Sequence, residues 1–182
     1  MNESPKSPKE RSVTFVGGLR RVCEDRGKRA ALRRGLSPAT VVDAWPVVAS
    51  LGGLIGQPGE SVSVDIGALF ATHPKESNAR NFGETCRRIA LVDSRDVPES
   101  FERRFRRLLA CSEVSDVVAQ LRSWIRLAAS RGVGVNYHSL FADLSNWPSY
   151  SADIRVQWAR SFWQPSNATS AGHSSSDDTT VP

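Results

Sequence analysis

A chain of 182 residues with 40% hydrophobic side chains can bury one ordinary core, or two small ones packed together, without disulfides or metal. Its formal net charge of +5 and pI near 9.6 favour a polyanionic partner, while no apolar run approaches the length of a bilayer span, so no membrane partner is expected. Of the 24 basic residues 20 are arginine, whose flat guanidinium grips phosphate oxygens two at a time, so the composition points to binding a polyanion and away from transforming a substrate.

Residues 1–12 are polar and carry Pro5 and Pro8, which predicts a flexible arm with order beginning near Val13. The same stretch lacks the apolar run and small-residue cleavage site of a secretory signal, so the expected location is cytoplasmic. From Val13 to Arg34, Phe15, Leu19, Val22, Cys23, Ala30 and Ala31 recur near helical spacing, with a bend or break at Gly27. Arg26, Arg29 and Arg33 then fall at i, i+3 and i+7, which lines three guanidinium groups along one helical stripe. Ser37-Pro38 reads as a helix start, continuing through Val42, Trp45 and Ala49 with a kink or restart at Pro46. Residues 52–60 read as a glycine-rich loop, and Val62 to Thr72 as a segment that becomes helical and ends at His73-Pro74.

Asn78 to Gly83 is turn-like and Glu84 to Val92 a short helix, after which residues 93–96 are the expected subdomain boundary. Pro98 opens a helix with Phe101, Phe105, Leu108 and Leu109 on its apolar stripe and the run ERRFRR on the remaining face. A second helix runs from about Ser115 to Arg131, with Val117, Val118, Leu121, Ile125 and Ala128 inward, and stops at Gly132. No acid occurs between Val117 and Ala142, so Arg122, Arg126 and Arg131 form a face without a neutralising partner on the same helix. Tyr137 to Leu144 and Ala152 to Trp163 are the last amphipathic segments, separated by Asn146-Trp147-Pro148-Ser149. Residues 165–182 are Ser/Thr-rich with almost nothing to bury, which predicts a disordered tail. The fold class expected is therefore all-α, as two packed helical-bundle subdomains at 13–95 and 96–164.

Cys23, Cys86 and Cys111 are widely separated among apolar or small neighbours and read as reduced packing residues. With His73 and His138 they make no metal-ligand spacing, and no nucleophile or paired carboxylate stands at a motif spacing, so neither metal, cofactor nor enzymatic activity is expected. Trp45, Trp124 and Trp158 lie beside apolar stripes, where packing explains them better than base stacking; Trp147 and Trp163 sit near loops.

RAALRR, FATHPKESNARNFG, ERRFRRLLA, LRSWIRLAASRGVGVNYHSLFADLSNW and QWARSFW, in this order over residues 13–163, resemble the CasB family, the small subunit of the type I-E CRISPR Cascade complex. The resemblance implies an all-helical, non-enzymatic protein, present as two copies in a crRNA-containing complex beside backbone subunits and the large subunit, whose basic surface helps hold single-stranded and R-loop DNA. By motif match it carries nucleic-acid contacts to Arg29, Arg33 and Arg34, to Arg103, Arg104 and Arg107, to Arg122 and Arg126, and to Arg160, which with Trp158 matches the closing WAR element. Pro46 and the acidic Ser/Thr tail depart from the family pattern without removing a motif arginine.

Charge runs usually only solvate a helix face, and the residues themselves divide the arginines. Arg103 and Arg106 stand four residues after Glu99 and Glu102, a spacing that explains them by local ion pairs, which leaves Arg104 and Arg107 as the contacts favoured on physical grounds and Arg103 resting on the resemblance. Arg26 and Arg131 join the candidates through the two stripes. A helical DNA-binding transcription regulator or a purely structural adaptor are the alternatives, and the first lacks a compact helix, glycine turn and polar recognition helix in this sequence.

Overall fold

The structure, a computed structural model, describes residues 7–53, 55–56 and 59–164; the expected tail at 165–182 and residues 1–6 of the expected arm lie outside them. Helix α1 (Pro8–Val22) begins five residues before Val13, so the arm prediction is corrected for residues 7–12. Its cause is a capping box: Ser7 Oγ accepts from Glu10 N at 3.3 Å, and the Glu10 carboxylate accepts from Ser7 N at 2.8 Å. Helix α2 (Arg26–Arg34) starts after a turn at residues 23–25, because Asp25 accepts from the amides of Gly27 and Lys28 at 2.8 and 3.0 Å and thereby places Gly27 inside the first turn.

Ser37-Pro38 opens a turn and not a helix. A short 3₁₀ turn, Val41–Asp43, is followed by α3 (Trp45–Ser50), with Pro46 in the first helical turn, where its missing N–H leaves nothing unpaired and no kink results. Helix α4 (Glu60–Thr72) is buried on nearly all sides, which is why its pattern has no clear helical stripe. Around it and beyond it come α5 (Phe82–Ala90), α6 (Glu99–Leu109) and α7 (Val114–Arg131), the last closed by Gly132 at φ 65°. Helix α8 (Tyr137–Trp163) spans the two final predicted segments as two helical pieces: Pro148 lies near the end of the first, and the helix kinks at Tyr150, whose dihedrals are not helical.

Among the described residues the fold is all-α, as expected. Helix α8 packs against α1, α4, α5 and α7, and α4 against α2, α3 and α7. The buried side chains on the two sides of the exposed 93–96 turn belong to one cluster that runs from Phe15 to Phe162. Its aromatic part stacks Phe105 on Phe162 at 4.0 Å and sets Trp158 against Phe82 and Trp147, at 5.6 and 5.3 Å. Trp124, Trp147 and Trp158 are all packing residues; Trp147, uncertain from its loop-like surroundings, is buried with its indole N–H on Ser112 O at 2.9 Å.

Two connections distant in sequence clasp one another. The α4–α5 link pairs with the α7–α8 link through Val135 N to Lys75 O (2.9 Å) and Ser77 N to Val135 O (3.1 Å). Lys75 Nζ donates to Gly132 O at 2.6 Å, and the buried Tyr137 hydroxyl donates to His73 O at 2.6 Å. His73 Nε2 lies 2.7 Å from Val133 O, which places a ring proton on that nitrogen. Gly134 is required at the crossing because a Cβ there would overlap the Glu76 carbonyl, and Gly83 is required where α5 meets the Trp158 backbone.

Gly134→Ala and Gly83→Ala should each lower stability by about 1–3 kcal/mol or more, by overpacking against rigid backbone. Gly17→Ala, where a Cβ meets open space in mid-helix, should raise it by about 0.5–1 kcal/mol. Urea midpoints at unchanged m-value measure all three.

Candidate nucleic-acid interface

Helix α2 lies across the C-terminal end of α4, and this crossing decides how its arginines are held. Carbonyls in the last turn of a helix have no partner within it. Ala71 O is one of them, and it accepts from Arg29 Nε at 2.8 Å and from Arg33 Nε at 3.0 Å, at the negative end of the α4 dipole. Both side chains are thereby fixed through Nε while their terminal nitrogens stay uncommitted, and neither has a carboxylate partner among the described residues. Arg26 is exposed at the start of the same helix. Arg34, by contrast, is paired with Asp43 at 3.1 Å, an exposed contact of small energetic weight.

Helix α6 divides its arginines as the spacing predicts. Arg103 approaches Glu99 at 3.8 Å and Arg106 pairs with Glu102 at 3.2 Å. Arg104 lies over the Trp124 ring, 5.9 Å from its centroid, and Arg107 is exposed with no charged partner among the described residues. With Ser100, these four arginines line one open basic depression of about 600 Å³.

The expectation that α7 carries an unpartnered arginine face is corrected for Arg131. Its neutralising acid arrives from the α5–α6 turn: Arg131 pairs with Asp93 at 3.2 Å, donates to Ile89 O at 2.8 Å and lies over Phe101. Arg122 is half-buried and turned toward Asp65 of α4, leaving only Arg126 fully outward. Arg160 is exposed on α8, beside a polar groove with Arg80, Asn81 and Asp143. The structure therefore brings together Arg26, Arg29 and Arg33 on one helix and Arg103, Arg104 and Arg107 on another, and sets Arg131 into the fold.

Other arginines serve packing. Arg20 makes a two-pronged pair with Glu76, Arg87 donates to Phe162 O at 2.9 Å, and Arg88 pairs with Glu84 at 2.6 Å. Arg21 and Lys28, exposed on either side of the 23–25 turn, extend the basic surface of α2. Neither stood out in the sequence, because neither shares the stripe of Arg26, Arg29 and Arg33. Among the described residues no group of three His, Cys, Asp or Glu could hold a metal ion. The thiol of Cys86 is buried and pushed well above the usual range, which makes it inert packing.

The family model of CRISPR-associated protein Cse2 matches residues 28–163, the whole run from the first turn of α2 to the end of α8. The chain belongs to the Cse2 family. Solved structures agree: a CRISPR-associated protein of the Cse2 family from Thermus thermophilus is 25% identical with a TM-score of 0.69, covering 87% of this chain and 99% of its own. CasB of M. ruber, 24% identical with a TM-score of 0.71, covers 84% and 92%. A chain of a CRISPR RNA-guided surveillance complex, 22% identical with a TM-score of 0.69, covers 85% and 92% and shares the fold. No curated protein matches the sequence. The CasB resemblance drawn from the arginine and loop segments thus holds for this Cse2 chain.

The groove beside Arg160 contains a titrating group of this Cse2 chain. Burial pushes the Asp143 carboxyl up to about 6, against the opposing hydrogen bond from Trp158 Nε1 at 2.7 Å. An unfolded aspartate titrates near 3.9, so Asp143 contributes stability that is full below that value and is lost as pH rises through about 6. The melting temperature of the wild type should therefore fall relative to Asp143→Asn between about pH 4 and 7, as calorimetry at stepped pH would show.

Proposed function

We propose that this Cse2 chain is the non-catalytic small subunit of a type I-E CRISPR Cascade complex, and that it steadies the R-loop by holding the sugar-phosphate backbone of the displaced and target DNA strands. The observation that carries this reading is the pair Arg29 and Arg33, anchored side by side on Ala71 O with their outer nitrogens unpaired. Two forks held in advance lose little side-chain freedom when they meet phosphates, which strengthens binding without any sequence preference. Arg26 extends that stripe, and Arg104, Arg107, Arg126 and Arg160 supply further exposed or partly exposed charge.

Indifference to sequence suits a subunit of a guided complex, since base pairing with crRNA reads the target. R-loop formation exchanges a DNA duplex for a hybrid of similar stability, so a few phosphate contacts suffice to tip the balance. The partners in this reading are the backbone subunits, the large subunit, a second copy of the chain and single-stranded DNA.

Arg29→Gln with Arg33→Gln, in the assembled complex, should weaken target-DNA binding and flatten the plot of log K against log salt by about 1.4, at about 0.7 per single-strand phosphate lost. Circular dichroism and melting of the variant check that α4 keeps its end. Unchanged affinity and slope would return these arginines to a capping role and favour the adaptor reading.

A further inference from the structure

The sequence placed Arg122 with the phosphate-binding arginines, but the fold sets it in a groove that a phosphate does not suit. The groove, about 520 Å³, lies between the segment that follows α2 and helices α4 and α7. Leu36, Pro38, Val41 and Val64 make its walls, and Asp65 and Arg122 enter it from α4 and α7. Arg122 attracts the Asp65 carboxyl, yet the two form no ion pair, and neither makes a hydrogen bond among the described residues. Arg122 Nε is fully buried without a partner, a costly condition for a charged donor. Burial also pushes the Asp65 carboxyl up to about 6. Glu60 at the rim is already engaged, accepting from Gly56 N at 2.6 Å.

One acceptor-only group and one donor-only group, facing the same apolar-walled groove without pairing with each other, suit a flat ligand with donors and acceptors along its edge. A free phosphate would be repelled by Asp65 and a metal cation by Arg122. A nucleobase meets both: its N–H edge faces a carboxylate and its carbonyl or ring nitrogen faces a guanidinium, while its ring faces lie against aliphatic side chains. The volume falls in the range of small-ligand sites. Position favours the same ligand, since Gly35 and Leu36 of the groove directly follow Arg33 and Arg34 at the end of the arginine stripe.

We propose that this groove receives an unstacked base of the single-stranded DNA whose backbone lies along α2, with Asp65 and Arg122 reading its polar edge. The proposal rests on the nucleic-acid reading above and adds a contact to the base itself. Asp65 accepts from every base that carries an N–H on its exposed edge, so the pocket takes a base in preference to no base and discriminates weakly among bases.

The test compares two fluorescent single strands of equal length and charge, one of mixed sequence and one abasic throughout, binding to the full chain and to the assembled complex. The mixed strand should bind roughly tenfold more tightly at an equal salt slope, because the phosphate contacts are common to both. Asp65→Asn, and separately Val41→Phe, which fills the groove from its rim, should bring the mixed strand down to the abasic level and leave the abasic strand unchanged. Equal binding of the two strands by the wild type, or a difference that survives both variants, overturns the base pocket. Loss of assembly in both variants with base dependence intact would assign the groove to a partner protein's side chain and overturn it equally. Binding of neither strand would instead bring down the nucleic-acid reading from which the inference starts.

Discussion

The clasp between residues 73–77 and 132–137 is the constraint on which the remaining geometry depends. It ties the end of α4 and the approach to α5 to the end of α7 and the start of α8 through main-chain bonds, the buried Tyr137 hydroxyl and the His73 ring, with the exposed Lys75 ammonium adding one more bond at the rim. Such bonds are costly to leave unmade away from water, so each member enforces the others. Burial pushes the Tyr137 phenol well above its usual range, which keeps it a neutral donor to His73 O at any ordinary pH. The clasp also fixes the last turn of α4, and with it the direction in which Ala71 O points. The arginine pair of α2 is thus a consequence of a backbone arrangement made by other parts of the chain.

Arginine does three different jobs here, and local surroundings decide which. Where a free carbonyl is available at a helix end, Nε is bound and the terminal nitrogens remain for a ligand, as at Arg29 and Arg33. Where an acid stands four residues back, as for Arg103 and Arg106, part of the charge is answered on the same helix. Where an acid and a carbonyl come from another element, as for Arg131, the guanidinium becomes a joint between α5, α6 and α7. A count of basic residues therefore overstates the positive surface left without internal partners, and the uncommitted nitrogens are the better measure.

Much of the fold was legible because it rests on local rules. The helix opened by Pro98 and the one closed by Gly132 follow from capping preferences and an apolar stripe, and both stand as read. Errors arose where a local signal has two meanings. Pro46 suits a first helical turn as well as it disrupts an interior, and Ser7 with Glu10 makes a cap inside a segment whose composition resembles a loose arm. Pro148 is the milder case: the backbone stays helical at the proline itself and kinks two residues later, at Tyr150, so the expected break falls slightly downstream of its signal. Of the candidate site, the stripe of Arg26, Arg29 and Arg33 was visible at 3.6-residue spacing, whereas the pairing of Arg131 with Asp93 spans elements that no local pattern connects.

Sequence alone determined the helical class, the positions of most helices, the charge and the supply of arginine, since propensity, periodicity and ionisation belong to residues and their near neighbours. The tertiary structure decided which guanidinium groups are spent on the protein and which are left over. It did so because a partner for a charge is chosen by distance in space, and only the packing of α2 on α4, of α6 on α7 and of one loop against another sets those distances.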